Sequence, residues 1–214
     1  MHGRSPEEAA GAGEGVPAPV ARFSPETLDE VAALLLAAEG RAVARMQGAE
    51  LRVESEAPEE RLLMALDLGR LPELNGMEFD ERAGLRLGAA VVPGDLAGFP
   101  PLHRHYPALA DGLEALPADS AARSLGELLG QREPPGHLVC PLACLWASVA
   151  VFGPHGWSEM ALEALRAGRG RGGLLARDFL VDLQLPAPPP CGGGAYLAQA
   201  GATPAGAAAF LVME

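Results

Sequence analysis

Residues 23–46, FSPETLDEVAALLLAAEGRAVARM, read as one helix followed by one strand. Ser24 is the expected N-cap and Pro25 suits the first helical position. Glu26 and Asp29 place acids in the first turns, and Gly40 is the expected stop. Leu28, Val31, Leu34 and Leu35 share one helical face, while Arg41–Met46 alternates polar and apolar side chains, the period of a strand packed on that helix. The strand delivers the chain into MQGAEL (46–51), a single glycine followed by an acid where a polar loop is expected.

Working outward, residues 1–20 are Gly, Ala, Glu and Pro without periodicity, and are expected to form a disordered leader. After the charged ESEAPEER (54–61), strands are expected near 63–68, 77–79 and 85–89 as a small mixed sheet, with a turn at Asn75-Gly76. HYPALADGLEAL (105–116) and HLVCPLACLWA (137–147) carry helical spacing, separated by SLGELLGQREPPG, a loop or short helix. ASVAVFG (147–153) is β-like, WSEMALEALRAG (157–168) short and amphipathic, GRGRGG (168–173) a turn, and FLVDLQLP (179–186) a half-buried strand. PAPPPCGGG (186–194) reads as a hinge. The order argues an α+β protein with two subdomains.

The 214 residues suffice for a substantial core. All 16 basic residues are arginines against 28 acids, a net charge of -12 that disfavours nucleic acid and anionic membrane as partners. No apolar run is long enough for a membrane helix and the N-terminal stretch lacks a signal-peptide core, so a cytoplasmic location is expected. Cys140, Cys144 and Cys191 are too few for a disulfide framework.

Other constellations have ordinary explanations. His137, Cys140 and Cys144 share a helix face, but Leu and Ala surround them and no fourth metal ligand is placed. His103 and His105 suit a solvated turn. Glu59-Glu60 and Asp80-Glu81 read as solvated charge, and Trp146 and Trp157 as core. GRGRGG is no P-loop, since the chain contains no lysine, and no nucleophile–base signature of a hydrolase is present.

Four segments in order, FSPETLDEVAALL (23–35), LDLGRLPELNGMEFDERAGLRLGAAV (66–91), YPALADGLEAL (106–116) and DFLVDLQLPAP (178–188), carry a resemblance. Together they resemble the FAD-binding medium subunit of the molybdenum hydroxylases, the carbon monoxide dehydrogenase and xanthine dehydrogenase group. The resemblance implies a two-subdomain PCMH-type FAD-binding fold over residues 21–186, divided at about residue 72. Residues 187–214 would then be a hinge and a truncated C-terminal segment lacking most of the usual C-terminal subdomain. It further implies FAD as cofactor, relaying electrons from a [2Fe-2S] subunit to an external acceptor, beside a molybdenum-cofactor subunit.

In that family two glycine-rich loops, A-G-G-T-D-L and T-I/L-G-G-N, hold FAD. Glycine lets backbone N–H groups approach the pyrophosphate, and Thr or Asn adds hydrogen bonds. The first loop aligns with Met46, Gln47, Gly48, Ala49, Glu50 and Leu51, the second with Ser124, Leu125, Gly126, Glu127 and Leu128. Ala49 stands for Thr, Glu50 for Asp, Glu127 for the second glycine and Leu128 for Asn. The Arg-Asn pair that precedes the second loop falls on Ser120 and Ala121, with Arg123 displaced toward the loop as a compensating charge. Two further readings stay open: a noncatalytic structural or assembly subunit that has lost FAD, and an unrelated small-molecule binding protein using the same cleft. The resemblance requires loops 46–51 and 124–128 to converge.

Overall fold

The computed structural model describes residues 21–39, 41–46, 49–51, 64–131, 133–153, 155–167, 178–189, 192–199 and 205–212. The expected leader, the helix stop at Gly40, the acids Glu59-Glu60, the turn 168–173 and Cys191 lie outside the described residues.

The opening unit forms β1 (Ala21–Phe23), α1 (Leu28–Ala37) and β2 (Ala42–Met46), followed by β3 (Ala49–Leu51) and β4 (Met64–Asp67). The cap of α1 is Thr27 rather than Ser24: Thr27 is extended and its Oγ1 accepts from the Glu30 amide at 3.3 Å. Thr27-Leu-Asp-Glu30 is a capping-box spacing that competes with the Ser-Pro signal three residues earlier. Leu28, Val31 and Leu35 are buried. The strand order is β1-β4-β2-β3, with β4 parallel to both β1 and β2 and β3 antiparallel to β2. A helix crossover between parallel strands accounts for this arrangement. β4, expected beside the strands at 77–79 and 85–89, therefore belongs to a different sheet from them.

The chain continues through α2 (Pro72–Asn75), β5 (Met77–Asp80), β6 (Gly84–Gly88), α3 (Pro93–Leu96), α4 (Pro100–His105), α5 (Pro107–Glu114), α6 (Ala118–Ala121), α7 (Leu125–Gly130) and α8 (Gly136–Cys144). Proline opens α2, α3, α4 and α5, where its missing N–H costs no helical bond and its φ is already helical. Then come β7 (Ser148–Gly153), β8 (Gly156–Ala161), α9 (Leu162–Ala167), β9 (Phe179–Leu185), β10 (Gly192–Gln199) and β11 (Ala205–Val212). The second sheet is antiparallel throughout, ordered β5-β6-β9-β7-β8.

Several expectations change here. The short amphipathic segment 157–168 divides: WSEMA is the edge strand β8, which returns along β7 as a hairpin and only then turns into α9. β9, expected half-buried, is buried at every position except Gln184, since it lies in mid-sheet between β6 and β7. Trp146 is 74% exposed and Trp157 53% exposed, so neither is core. Trp146 occupies the turn after α8 at φ 52°, and Trp157 stands on the edge strand against Phe152. His103 and His105 lie on α4; His105 stacks on Phe79 with ring centroids 4.5 Å apart. The last three residues of the expected hinge, Gly192–Gly194, are instead the start of β10, which pairs with β11 as an antiparallel hairpin against α5 and α8.

The exit of β6 is held by three successive backbone hydrogen bonds. Gly88 N donates to Gly76 O at 2.8 Å, Ala89 N to Val181 O at 2.8 Å, and Ala90 N to Leu74 O at 2.7 Å. A Cβ on Gly88 would lie 2.2 Å from Leu74 O, so only glycine permits this approach. One hydrophobic cluster runs from Val31 on α1 and Leu66 in the first sheet through Leu74, Leu109 and Leu142 to Val149 and Leu183 in the second. Helices α5 and α8 also touch closely: Pro141, inside α8, cannot donate to His137 O, and a Cβ on Gly112 would come within 2.3 Å of that oxygen.

Gly112→Ala gains helix propensity yet forces α5 and α8 apart. A net loss of about 1–3 kcal/mol is expected in urea denaturation followed by circular dichroism. Tyr106, 2% exposed, donates its hydroxyl to Pro186 O at 2.9 Å, and burial pushes its phenol up to about 12. The unfolded phenol ionises near 10, so this contribution to stability is complete below about pH 10 and is lost as pH rises toward about 12. Tyr106→Phe should flatten that part of the alkaline stability profile.

Candidate functional site

The structure brings the two motif segments together: α7 lies alongside β3. The described residues of both segments, however, take regular structure rather than open loops. Ala49, Glu50 and Leu51 form β3, paired in register with Met46, Arg45 and Ala44, so the chain turns back as a hairpin. Gln47 and Gly48 lie outside the described residues.

Ser124 to Leu128 forms the capped start of α7. Ser124 is buried and extended, and its Oγ accepts from the Glu127 amide at 3.2 Å. Its carbonyl accepts from Leu128 N at 2.9 Å. The two amides between them turn to the β6 exit: Leu125 N donates to Val91 O at 2.9 Å and Gly126 N to Ala89 O at 2.8 Å. All four successive N–H groups thus have protein acceptors.

The side chains complete the picture. Leu125 and Leu128 are buried in the core. Glu127, with a side chain 11% exposed, accepts from Arg123 Nε at 2.6 Å, an i,i+4 ion pair along the chain. Arg123 is therefore neutralised by this protein's own carboxylate and supplies no net compensating charge. A pyrophosphate needs donors without partners and a site free of negative charge. The residues of 124–128 do not fit it. Ser120 and Ala121 sit on α6, with no arginine side chain in either place.

The sequence carried a signal for this outcome that the loop alignment obscured. Ser124-Leu-Gly-Glu127 has the S-x-x-E capping-box spacing ahead of an apolar run, and Arg123 precedes Glu127 by four. Only half of the box is used, because Glu127 turns to Arg123.

Elsewhere, Arg86 binds the buried Asp182 through both Nε (2.8 Å) and a terminal nitrogen (2.7 Å), while Gln184 Nε2 donates to the other carboxylate oxygen at 3.0 Å. Asp182 is 1% exposed, so the arginine compensates a charge within the sheet. Asp80 accepts from the amides of Ala83 and Arg82, which hold its carboxyl below the usual range; it shapes the β5–β6 turn. His137 Nδ1 lies 2.5 Å from Tyr196 Oη and joins α8 to the β10–β11 hairpin. Burial pushes the Tyr196 phenol up. Among the described residues no cluster of metal-ligating side chains forms, and Cys140 and Cys144 are not in disulfides. No helix among them is long and apolar enough to cross a membrane.

Residues 18–188 match the sequence family described as the FAD binding domain in molybdopterin dehydrogenase. No curated protein sequence matches the chain. Among solved structures, carbon monoxide dehydrogenase from Hydrogenophaga pseudoflava, in a form lacking the Mo-pyranopterin moiety of the molybdenum cofactor, is similar at TM-score 0.69 and 21% identity. That match covers 86% of this chain and 65% of that one. Quinoline 2-oxidoreductase from Pseudomonas putida 86 gives 0.71 and 22%, over 92% and 70%. Reconstituted CO dehydrogenase from Oligotropha carboxidovorans gives 0.70 and 20%, over 93% and 71%. The first of these is spanned over just under two thirds of its length. At such identities the likeness establishes the fold.

Ser124→Ala removes the acceptor of the Glu127 amide and should cost about 1 kcal/mol of stability. Glu127→Gln keeps the cap, and loss of an ion pair whose arginine is 41% exposed should cost less than about 1 kcal/mol. Urea denaturation of the two variants, followed by circular dichroism, checks the order.

Proposed function

The chain belongs to the family of FAD-binding domains of molybdopterin dehydrogenases, and from that premise we propose that it is the flavin-type component of a molybdenum hydroxylase-type oxidoreductase. In this reading it works in the cytoplasm beside a [2Fe-2S] subunit and a molybdenum-cofactor subunit, and passes electrons through FAD to an external acceptor. The observation that supports it best is the approach of α7 to β3, which gathers both motif segments at one place. FAD would supply the redox chemistry. Residues 46–51 and 124–128 would flank it, with the hold on its phosphates resting on the first segment and on groups outside the second.

One observation favours a second reading, that of a noncatalytic structural or assembly subunit. The amides of 125–128 are all engaged within the protein, and Glu127 places an anion where phosphate would approach. Each absent hydrogen bond to a charged group removes about 1.5–3 kcal/mol, so two or three absent bonds weaken binding by roughly 10² to 10⁶-fold.

The two readings separate in a titration of the purified chain with FAD, followed by flavin fluorescence and visible absorption. Saturable binding of one FAD per chain, weaker than an intact pair of glycine-rich loops would give, is the expected outcome. Absence of saturable change would reject the relay and leave the structural role.

A further inference from the structure

We infer that residues 124–128 form an internal clasp that fastens the exit of β6 to the helical layer, and that this segment holds no phosphate. The inference rests on the proposed flavin role only for the identity of the ligand that the segment refuses. The first amides of a helix ordinarily lack partners and face solvent or a ligand. In α7 the amides of Leu125 and Gly126 instead reach across to Val91 O and Ala89 O, carbonyls of a segment that is itself buried.

Handing those amides to a phosphate would strand both carbonyls away from water. An unpaired buried polar group is costly enough that nearly all such groups are paired in folded proteins. The incoming anion would also meet the Glu127 carboxylate, held in place by Arg123 Nε at 2.6 Å. Leu128 cannot turn outward to help, because its side chain is wholly buried. The replacements at Glu127 and Leu128 are consistent with one another: the first engages the nearby cation and the second fills the core. A dinucleotide bound by this chain is therefore gripped outside 124–128.

Amide hydrogen exchange on the full chain, with and without FAD, tests the clasp. The absorbance of the same samples reports whether flavin is bound. The amides of Leu125 and Gly126 should exchange slowly without FAD and stay unchanged when it is added. Slow, unchanged exchange in coloured protein supports both the clasp and the flavin role. The same exchange in colourless protein supports the clasp while the flavin role fails. Fast exchange without FAD, or slowing at residues 125–128 that appears only with FAD, would overturn the clasp. Ser124→Ala supplies the internal control: it should speed exchange at Glu127 while leaving Gly126 slow, and equal acceleration at both positions would also count against the clasp.

Discussion

The structure depends on a few buried backbone groups at the end of β6. Residues 88–91 are buried, so their N–H and C=O groups need hydrogen-bond partners. The partners come from three elements: Leu74 in α2 with Gly76 at its end, Val181 on β9, and the first amides of α7. Side chains here are small because bulk is excluded; Gly88 has the Leu74 carbonyl where a Cβ would go, and Ala89 and Ala90 are fully buried. This junction fixes α7 against the sheet and thereby decides what its amides can do.

A second constraint acts in the sheet. β9 carries Asp182 in a strand otherwise apolar up to Gln184, and an unpaired carboxylate there would be strongly destabilising. Arg86 on β6 and Gln184 on β9 satisfy it. Because β6 and β9 are neighbours only in one register, with Arg86 opposite Gln184, the polar contact and the strand pairing specify each other. The junction and the ion pair are adjacent along β6, which makes that strand the organising element of the second half of the fold.

Much of this was legible beforehand. The α1–β2 unit, the strands β5, β6, β7 and β9 and the helices α5 and α8 follow from the sequence, because each has one clear apolar pattern. The misreadings share a physical origin in local signals that compete. Ser24-Pro25 and Thr27-Leu-Asp-Glu30 both announce a helix start, and only the packing of Leu28, Val31 and Leu35 selects the second. WSEMA has too few residues to declare a period, so its fate is decided by the hairpin with β7. Alignment to the family motif places Ala49–Leu51 in a loop, whereas pairing with β2 makes it a strand. The same motif frame hid the capping signal of Ser124 and Glu127. That the two segments would meet was foreseeable from the resemblance; that their backbones would be engaged internally depends on residues far away in sequence, Ala89 and Val91.

The positions of the two tryptophans have an optical consequence. Trp146 and Trp157 are the chain's complete set of indoles, and both face solvent in the folded protein. Emission from the native state should therefore already be red-shifted toward that of hydrated indole, and unfolding should change it little. The same placement makes the protein a sensitive reporter of contact: a subunit or ligand that covers either ring would move the emission to the blue, without any label being attached.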